Sequence, residues 1–265
     1  YDPVEALTAI GEHGVTTVTI VGDAFARPML ETLDTNPKGF NIQSVNVITS
    51  SGVMWTREIK AGLLTYNENL LLVDGFSSSE AIGLGSSVMT KDAQIDVAKF
   101  TIGANCRVFT EDHRTINPGD NEPGLVAVKG HLPLGYYKDP EKTAKTFQYI
   151  QGERYSVPGD WVQVESDGSL TLLGRGSNCI NTAGEKVFPE EVEEALKHHE
   201  HIEDALVIGL PDPKWGQAIT AVIQTRGNQP LQSGDLKEWA RSLLAAYKLP
   251  KHIFIKENLN RAPNG

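Results

Sequence analysis

Three β-branched runs alternate with two amphipathic helical stretches in the first third of the chain, and this order constrains the fold more than any other feature. The runs are residues 15–21, 45–49 and 70–73, and the helical stretches are residues 23–33 and 56–64. Strands that alternate with helices at this spacing are typical of a parallel, helix-covered sheet. Asp23 stands where a helix N-cap is expected. The pattern therefore predicts an α/β fold.

The predicted strands end in polar stretches. Residues 50–52, Ser-Ser-Gly, follow the second strand, and residues 74–80, Asp-Gly-Phe-Ser-Ser-Ser-Glu, follow the third. In parallel helix-covered sheets, ligands bind beyond the carboxyl ends of the strands. The two stretches are therefore candidate ligand-binding segments.

The stretch 74–80 has the chemistry of a nucleotide site. The ring of Phe76 can stack on a flat heterocycle. Ser79 can bind a phosphate oxygen, and Glu80 is an oxygen ligand suited to Mg²⁺ that is held jointly with phosphates. The alternative is a polar turn in which Asp74 and Ser77 cap backbone groups.

The pattern changes after residue 100. Short strands separated by Pro-Gly and Asp-Gly turns fill residues 101–173, which indicates a small antiparallel, barrel-like subdomain. Strands and helices then alternate in a way that indicates a compact α+β domain at 179–265. We expect a large domain over residues 1–173, of which 1–100 form the α/β sheet portion, and a joint at 174–178.

The joint leads directly into a helix. Arg175 lies between two glycines, and Pro189 fits the first turn of a helix, where its missing N–H costs nothing. A flexible glycine-rich joint followed by a helix with a favourable first turn is typical of a hinge between domains. The alternative is an ordinary interdomain linker.

Two charged residues are further candidates for nucleotide binding. The Asp160 carboxylate follows a Pro-Gly pair and can accept hydrogen bonds from the two hydroxyls of a sugar. Its alternative is a tight turn with a solvated acid. The planar guanidinium of Arg175 suits phosphate, and its alternative is a surface ion pair.

Composition limits the classes of partner. The formal net charge of −10 argues against binding to nucleic acid or to an anionic membrane surface. We find no apolar run of transmembrane length and no signal peptide. The two cysteines, Cys106 and Cys179, are too few for a disulfide scaffold and suit a reducing cytoplasm. We therefore expect a soluble cytoplasmic protein.

Six motifs in the same order resemble those of the acyl-adenylate-forming superfamily, which contains acyl-CoA synthetases, luciferases and peptide-synthetase adenylation domains. The resemblance covers nearly the whole chain and is strongest from Gly124 onward. The matching stretches are residues 124–130, 134–140, 155–160, 174–193, 209–216 and 247–250. Each motif alone is weakly specific, whereas six in register are strongly so.

The resemblance implies a two-step reaction at one site. A carboxylate attacks the α-phosphate of ATP to give acyl-AMP and pyrophosphate, and the thiol of CoA then displaces AMP. By this resemblance Asp74, Gly75 and Phe76 would hold the adenine. Ser79 would contact phosphate and act in catalysis, and Glu80 would bind Mg²⁺ as a catalytic metal ligand.

Other residues receive roles by the same resemblance. Asp160 would bind the ribose hydroxyls, with Arg175 nearby. Ser51, Gly52 and Val53 would line the wall between the adenine and the acyl pocket, with Ser51 and Gly52 also at the nucleotide.

The small domain would supply the CoA site. Ala183, Gly184 and Lys186 would approach the active site, with Gly184 leaving room for the pantetheine arm and Lys186 also acting in catalysis. Ser177 would be the pivot of the hinge, where the family usually has Asp or Lys.

We expect this chain to be the C-terminal part of a longer polypeptide. It starts at Tyr1 without a Met, and the family's phosphate loop is nowhere in it. The lysine that stabilises the adenylation transition state in the family should follow Gly265. The complete protein is predicted to be an ATP-dependent acid–thiol ligase that forms the CoA thioester of a fatty or steroid-type acid, and the isolated chain is predicted to be inactive. The alternatives are a ligase that loads a carrier protein and a non-catalytic nucleotide-binding module.

Overall fold

The computed structural model describes residues 1–52, 55–93, 99–228 and 231–259. These residues form two compact units. The first unit contains Tyr1–Pro158 and Val162–Leu172, and the second contains Gly159–Trp161 and the described residues from Leu173.

The first unit begins with a parallel, helix-covered sheet, as predicted. The strands are β1 (Thr17–Ile20), β2 (Val47–Ser51) and β3 (Leu71–Ser78), and the helices are α1 (Pro3–His13), α2 (Gly22–Thr35) and α3 (Arg57–Tyr66). Strand β2 pairs in parallel with both β1 and β3. The apolar faces of the helices and strands form one core, which includes Leu7, Ile10, Met29, Leu33, Ile48, Leu63 and Leu72.

Helix α1 shows why the local sequence folds as it does. The Asp2 carboxylate accepts hydrogen bonds from the N–H groups of Val4 (2.8 Å) and Glu5 (3.2 Å) and so caps the first turn. Gly14 ends the helix with a left-handed backbone at φ 60°. Both ends of the helix are therefore set by nearby residues.

The start of α2 differs from the prediction. The helix begins at Gly22, its N-cap is Val21, and no side chain caps it. The Asp23 carboxylate instead accepts hydrogen bonds from the backbone N–H and the hydroxyl of Thr56, both at 2.9 Å. The predicted N-cap role of Asp23 was wrong because its acceptor oxygens are used by the start of α3.

The third strand is longer than predicted. Strand β3 continues through Ser78 and turns at Ser79 and Glu80 into the antiparallel strand β4 (Ala81–Met89). The stretch 74–80 is therefore not a loop after a strand. Its first five residues are strand residues, and its last two form a hairpin turn.

The antiparallel strands continue the same sheet. Their bounds are β5 (Lys99–Ile102), β6 (Cys106–Phe109), β7 (Pro123–Lys129), β8 (Phe147–Ile150), β9 (Glu153–Ser156), β10 (Asp160–Val164) and β11 (Leu170–Arg175), with helix α4 (Pro140–Thr146) before β8. Among the described residues the sheet has 11 strands in the order β1-β2-β3-β4-β5-β11-β10-β7-β9-β8, and β6 pairs with β7. The parallel and antiparallel parts are both present, and β4 and β5 join them.

The second unit has the predicted α+β composition. It contains β12 (Ile180–Thr182), β13 (Glu185–Val187), α5 (Pro189–Lys197), β14 (Ile202–Asp212), β15 (Gly216–Thr225), α6 (Ser233–Ala240) and β16 (His252–Lys256). The strand order is β13-β12-β15-β14, and β16 pairs in parallel with β15. Its separate core includes Val192, Leu196, Ala205, Ile219, Ala221, Ile223 and Leu236.

Within the described ranges, no helix is both long enough and apolar enough to cross a membrane.

Candidate functional site

Strands β2 and β3 bring two groups of predicted site residues side by side. In the parallel register Ser50 lies opposite Asp74 and Ser51 lies opposite Gly75. A Cβ atom at Gly75 would lie 3.6 Å from the carbonyl oxygen of Ser50, which is an ordinary van der Waals contact, so the packing of the two strands does not itself require a glycine there. Gly52 follows β2, whereas Val53, predicted to line the acyl pocket, falls outside the described residues.

Asp74 forms an ion pair with a lysine that the sequence did not single out. The ammonium of Lys60, on α3, contacts the Asp74 carboxylate, and the lysine side chain is only 5% exposed. Burial raises the pKa of the Asp74 carboxyl, the nearby Lys60 ammonium lowers it, and the charge of Asp23 raises it, with a net shift upward. The candidate adenine-binding carboxylate is thus held by a buried counter-charge.

The ring of Phe76 is part of the core of the first unit. The residue is 7% exposed, and its ring centroid lies 5.3 Å from that of Phe100. It belongs to a cluster that includes Leu84, Val126 and Val162. The contact of Phe76 with adenine therefore stays a prediction, with little of the ring open to a ligand.

The β3–β4 turn presents Ser79 and Glu80. Ser79 is exposed, and Glu80 is half-buried. The phenol of Tyr136 donates a hydrogen bond to Oε1 of Glu80 at 2.5 Å. Hydrogen bonds to charged acceptors are shorter and stronger than neutral ones. The direction of the Glu80 carboxylate is therefore set by a residue from a distant segment.

Tyr136 is itself held by its neighbours on α4. Its backbone N–H donates to the hydroxyl of Thr143 at 2.8 Å, and the Lys142 ammonium lies 4.0 Å from the centre of its ring. Its ring centroid is 6.0 Å from that of Phe147. These three contacts thus hold Tyr136 in place beside Glu80.

The described residues contain no preformed site of three or more metal-binding side chains, counting His, Cys, Asp and Glu. Mg²⁺ that is held together with nucleotide phosphates needs only one or two protein carboxylates, since phosphates and water complete its octahedron. Glu80, at an exposed turn beside Ser79, fits that limited role.

Asp160 and Arg175 come together in the second unit. The Nε of Arg175 donates to Oδ1 of Asp160 at 3.1 Å, and the carboxylate is 9% exposed whereas the guanidinium side chain is 53% exposed. Gly176 keeps this segment close, because its N–H donates to the carbonyl of Gly159 at 3.0 Å and a side chain there would strike the Trp161 indole. The arginine thus leaves part of its donor fork at the surface.

The predicted joint has local structure of its own. Strand β11 continues through Arg175, and residues 176–178 form one turn of 3-10 helix. Ser177 is exposed, and its hydroxyl lies 3.3 Å from Oδ1 of Asn178. Among the described residues, the chain passes from the first unit into the second for the last time after Leu172.

Ala183 and Gly184 form the two-residue turn between β12 and β13. Both have positive φ, 52° and 88°, as a type I′ hairpin turn requires. Open space surrounds the position that a side chain on Gly184 would take. The N–H of Ala183 donates to the carbonyl of Trp215 at 2.8 Å, which fixes the turn against the β14–β15 hairpin.

Trp215 is an aromatic residue with two cations around it. The ammonium groups of Lys214 and Lys251 lie 4.6 and 4.8 Å from the centre of its ring. Oδ1 of Asp212 accepts the N–H groups of Lys214 (2.8 Å) and Trp215 (3.0 Å), so the carboxylate shapes the hairpin. A positive, aromatic surface therefore adjoins the Ala183 turn.

Lys186 lies on the face of another tryptophan. Its ammonium is 4.4 Å from the centre of the Trp161 ring, and Trp161 also packs on Phe188 with ring centroids 5.8 Å apart. Cation–π contacts of this kind are worth about 0.5–2 kcal/mol. Lys186 is an exposed residue and lies two residues after Gly184.

Sequence reasoning missed three residues of the site. Tyr136 and Trp215 lie inside motifs that matched the family, and that context was the signal that could have found them. Lys60 carried no signal, because a lysine in an amphipathic helix is expected to face solvent.

Comparisons with known proteins agree with these motifs. Residues 191–265 match the family model of the AMP-binding enzyme C-terminal domain. The chain is 39% identical to a medium/long-chain-fatty-acid–CoA/3-oxocholest-4-en-26-oate–CoA ligase of Mycolicibacterium smegmatis, over 100% of this chain and 49% of the relative. It is 39% identical to a 3-oxocholest-4-en-26-oate–CoA ligase of Rhodococcus rhodochrous, over 98% of this chain and 48% of the relative.

A solved structure shares the fold. The amide bond synthetase McbA from Marinactinospora thermotolerans superposes with a TM-score of 0.84 at 21% identity, over 100% of this chain and 53% of that protein. The chain spans about half the length of the curated relatives it matches. Residues 191–265 therefore correspond to the C-terminal domain of AMP-binding enzymes, and the whole chain is similar to about half of each of these CoA ligases.

Proposed function

We propose that this chain is the nucleotide- and CoA-binding part of an acyl-CoA synthetase that activates a fatty or steroid-type carboxylic acid. The observation that carries the proposal is the 39% identity, over the whole chain, to ligases named for fatty acids and for 3-oxocholest-4-en-26-oate. Two features of the second unit support the proposal. The ion pair of Asp160 with Arg175 suits the ribose and phosphate of a nucleotide, and the open turn at Gly184 suits the pantetheine arm of CoA.

The proposed reaction has two steps. An oxygen of the substrate carboxylate attacks the α-phosphorus of ATP, the bond to the β-phosphate breaks, and pyrophosphate leaves with the electron pair. The CoA thiol, after losing its proton, then attacks the acyl carbonyl, and AMP leaves. Such reactions need little covalent help, so the protein acts by positioning and by neutralising charge.

In the first unit, residues on β2, β3 and the following turn would hold the nucleotide. Asp74 and Gly75 would face the adenine, and Ser79 would donate a hydrogen bond to a phosphate oxygen. Glu80 would be the protein ligand of Mg²⁺, and Tyr136 would hold its carboxylate in one direction. When bound, Mg²⁺ would neutralise phosphate charge.

In the second unit, Asp160 would accept hydrogen bonds from the ribose hydroxyls. Its contact with Arg175 supports a place for the guanidinium near the nucleotide, because the two side chains already lie together. Gly184 would leave room for the pantetheine arm, because the position that its side chain would take is open space, and Ala183 would lie beside that arm. Lys186 would follow them to the thioester-forming step. We also propose that Ser177 is the pivot between the two parts of the protein.

The activity test uses the complete gene product that contains this chain. It is incubated with ATP, Mg²⁺, CoA and either a medium- or long-chain fatty acid or a 3-oxo-steroid carboxylic acid. Pyrophosphate release and a CoA thioester, detected by mass spectrometry, are expected. If pyrophosphate is released but the acyl group is transferred only to a phosphopantetheinyl carrier protein, the acceptor is that carrier protein and not CoA. A complete lack of ATP binding would refute the proposal.

Asp160→Ala is the residue-level test. The loss of a buried hydrogen-bonding partner should weaken ATP use by about 1–3 kcal/mol, a rise in KM for ATP of roughly 5- to 150-fold. Asp235→Ala removes an exposed acid from the same unit and is the control, with an unchanged KM. Equal ATP dependence in the two variants would show that the role given to Asp160 is wrong.

The separate chain of 265 residues is expected to release no pyrophosphate from ATP and acid. Turnover by this chain alone would contradict the proposal that it acts as part of a larger enzyme.

A further inference from the structure

Lys60 is a buried lysine on α3. The residue is 4% exposed, its ammonium contacts the Asp74 carboxylate, and the same ammonium lies 5.3 Å from the centre of the Trp55 ring. Lysines are almost never fully buried unless they are paired. Because an isolated buried charge is costly, the ion pair with Asp74 is the reason that this lysine is tolerated.

The charged groups around Asp74 come from two helices. Lys60 approaches from α3, and Asp23 acts from α2. The Asp23 carboxylate is itself engaged by Arg27, at 3.1 Å, and by the hydroxyl and N–H of Thr56. Lys60 is therefore the cation in direct contact with Asp74, and it acts against both burial and the like charge of Asp23.

The protonation state of Asp74 decides what it can recognise. An ionised carboxylate only accepts hydrogen bonds, whereas a protonated one also donates. Adenine presents an amino group as a donor at C6, and guanine presents a carbonyl oxygen as an acceptor there. Where the carboxylate faces C6 of the base, an ionised Asp74 therefore accepts from the amino group of adenine and opposes the carbonyl oxygen of guanine, and a protonated one loses that distinction.

We propose that Lys60 is a positioning and specificity residue for the nucleobase: it keeps Asp74 ionised and fixed in direction, so that the site selects adenine over guanine. The inference rests on the proposed function, because it takes Asp74 to face C6 of the base of ATP. It goes further by naming the group that sets the selectivity and by predicting how that selectivity depends on pH.

Lys60→Met in the complete gene product tests the proposal. Methionine keeps much of the apolar stem of lysine and removes the charge. ATP and GTP affinities are measured by calorimetry between pH 6 and pH 8. We expect the variant to bind ATP roughly 10- to 100-fold more weakly than wild type, since a hydrogen bond to a charged group is weakened. The loss should grow as the pH falls, because the pKa of Asp74 rises further without Lys60, and the ratio of ATP to GTP affinity should shrink.

Two further variants separate this role from a general effect of losing a lysine. Lys91→Met is the matched control, because Lys91 pairs with Glu68 on the surface and both side chains are more than half exposed. It should leave the ATP affinity, the selectivity and the pH profile unchanged. Lys60→Arg keeps the charge and should restore the wild-type shape of the pH profile.

A double variant keeps the test decisive if Lys60→Met does not fold. Lys60→Met with Asp74→Asn removes both charges of the buried pair, which proteins tolerate better than the loss of one partner. It should match Asp74→Asn alone in ATP affinity and in selectivity. A further loss in the double variant, or a Lys60→Met variant that behaves like Lys91→Met, would overturn the inference. Failure of the wild-type protein to bind ATP would instead refute the proposed function.

Discussion

Replacing Tyr136 with phenylalanine would remove one hydrogen bond from the proposed metal ligand and leave the rest of the site in place. The phenol donates to Oε1 of Glu80 at 2.5 Å. The ring contacts with Lys142 and Phe147 do not involve the hydroxyl, so Tyr136→Phe should keep them. The change therefore acts on the direction of one carboxylate.

The expected size of the effect follows from the kind of contact that is lost. A hydrogen bond to a charged group contributes about 1.5–3 kcal/mol. Loss of the partner that orients a metal-binding carboxylate typically costs about 10- to 100-fold in metal affinity or activity. The two estimates agree, so we expect the Mg²⁺ concentration at half-maximal ATP binding to rise about 10- to 100-fold.

The assay measures ATP binding to the complete gene product by calorimetry at increasing Mg²⁺ concentration, alongside the rate of pyrophosphate release. Tyr137→Phe is the matched control, because it removes the same hydroxyl from the adjacent residue, which is 88% exposed. The KM for the acid should be unchanged in both variants. If Tyr136→Phe and Tyr137→Phe show the same Mg²⁺ dependence, Glu80 is not oriented by Tyr136 for metal binding.

Two predictions concern the stability and reactivity of the chain. Gly174→Ala should lower the stability of the protein towards denaturant more than Gly184→Ala does. Each substitution puts alanine at a positive φ, 140° and 88° respectively, which costs roughly 1–3 kcal/mol, but only at Gly174 would the new methyl group overlap the Glu190 carboxylate. Equal losses of stability in the two variants would show that the Glu190 side chain moves aside at little cost. In the native protein at pH 8, iodoacetamide should modify Cys179 well before Cys106, because burial raises the pKa of the Cys106 thiol to about 11. Peptide mass spectrometry would identify the modified cysteine, and a faster reaction at Cys106 would contradict the prediction.

The fold class and the order of the elements were predictable from sequence because they depend on nearby residues. The three strands at the start of the chain and the helices between them appear where their apolar periodicity indicated. The strand–helix order of the second unit was read from the same kind of signal. Even so, β3 runs five residues past the predicted end of that strand at Val73, because β4 pairs with the polar stretch as far as Ser78.

The partners of the polar side chains were not predictable in this way. Asp23 looked like a helix cap, but its acceptor oxygens serve Thr56, 33 residues away. Lys60 pairs with Asp74 across 14 residues, and Tyr136 reaches Glu80 across 56. No local pattern marks such pairs.

The sequence by itself determined the periodic elements, the family motifs and the identity of the residues that carry the proposed chemistry. Only the tertiary structure decided which of those residues are buried, which charge lies beside Asp74, and which hydroxyl holds Glu80. The physical reason is that helices, strands and turns are set by interactions within a few residues. The ionisation and direction of a side chain are instead set by burial and by whichever charges the folded chain brings within a few ångströms of it.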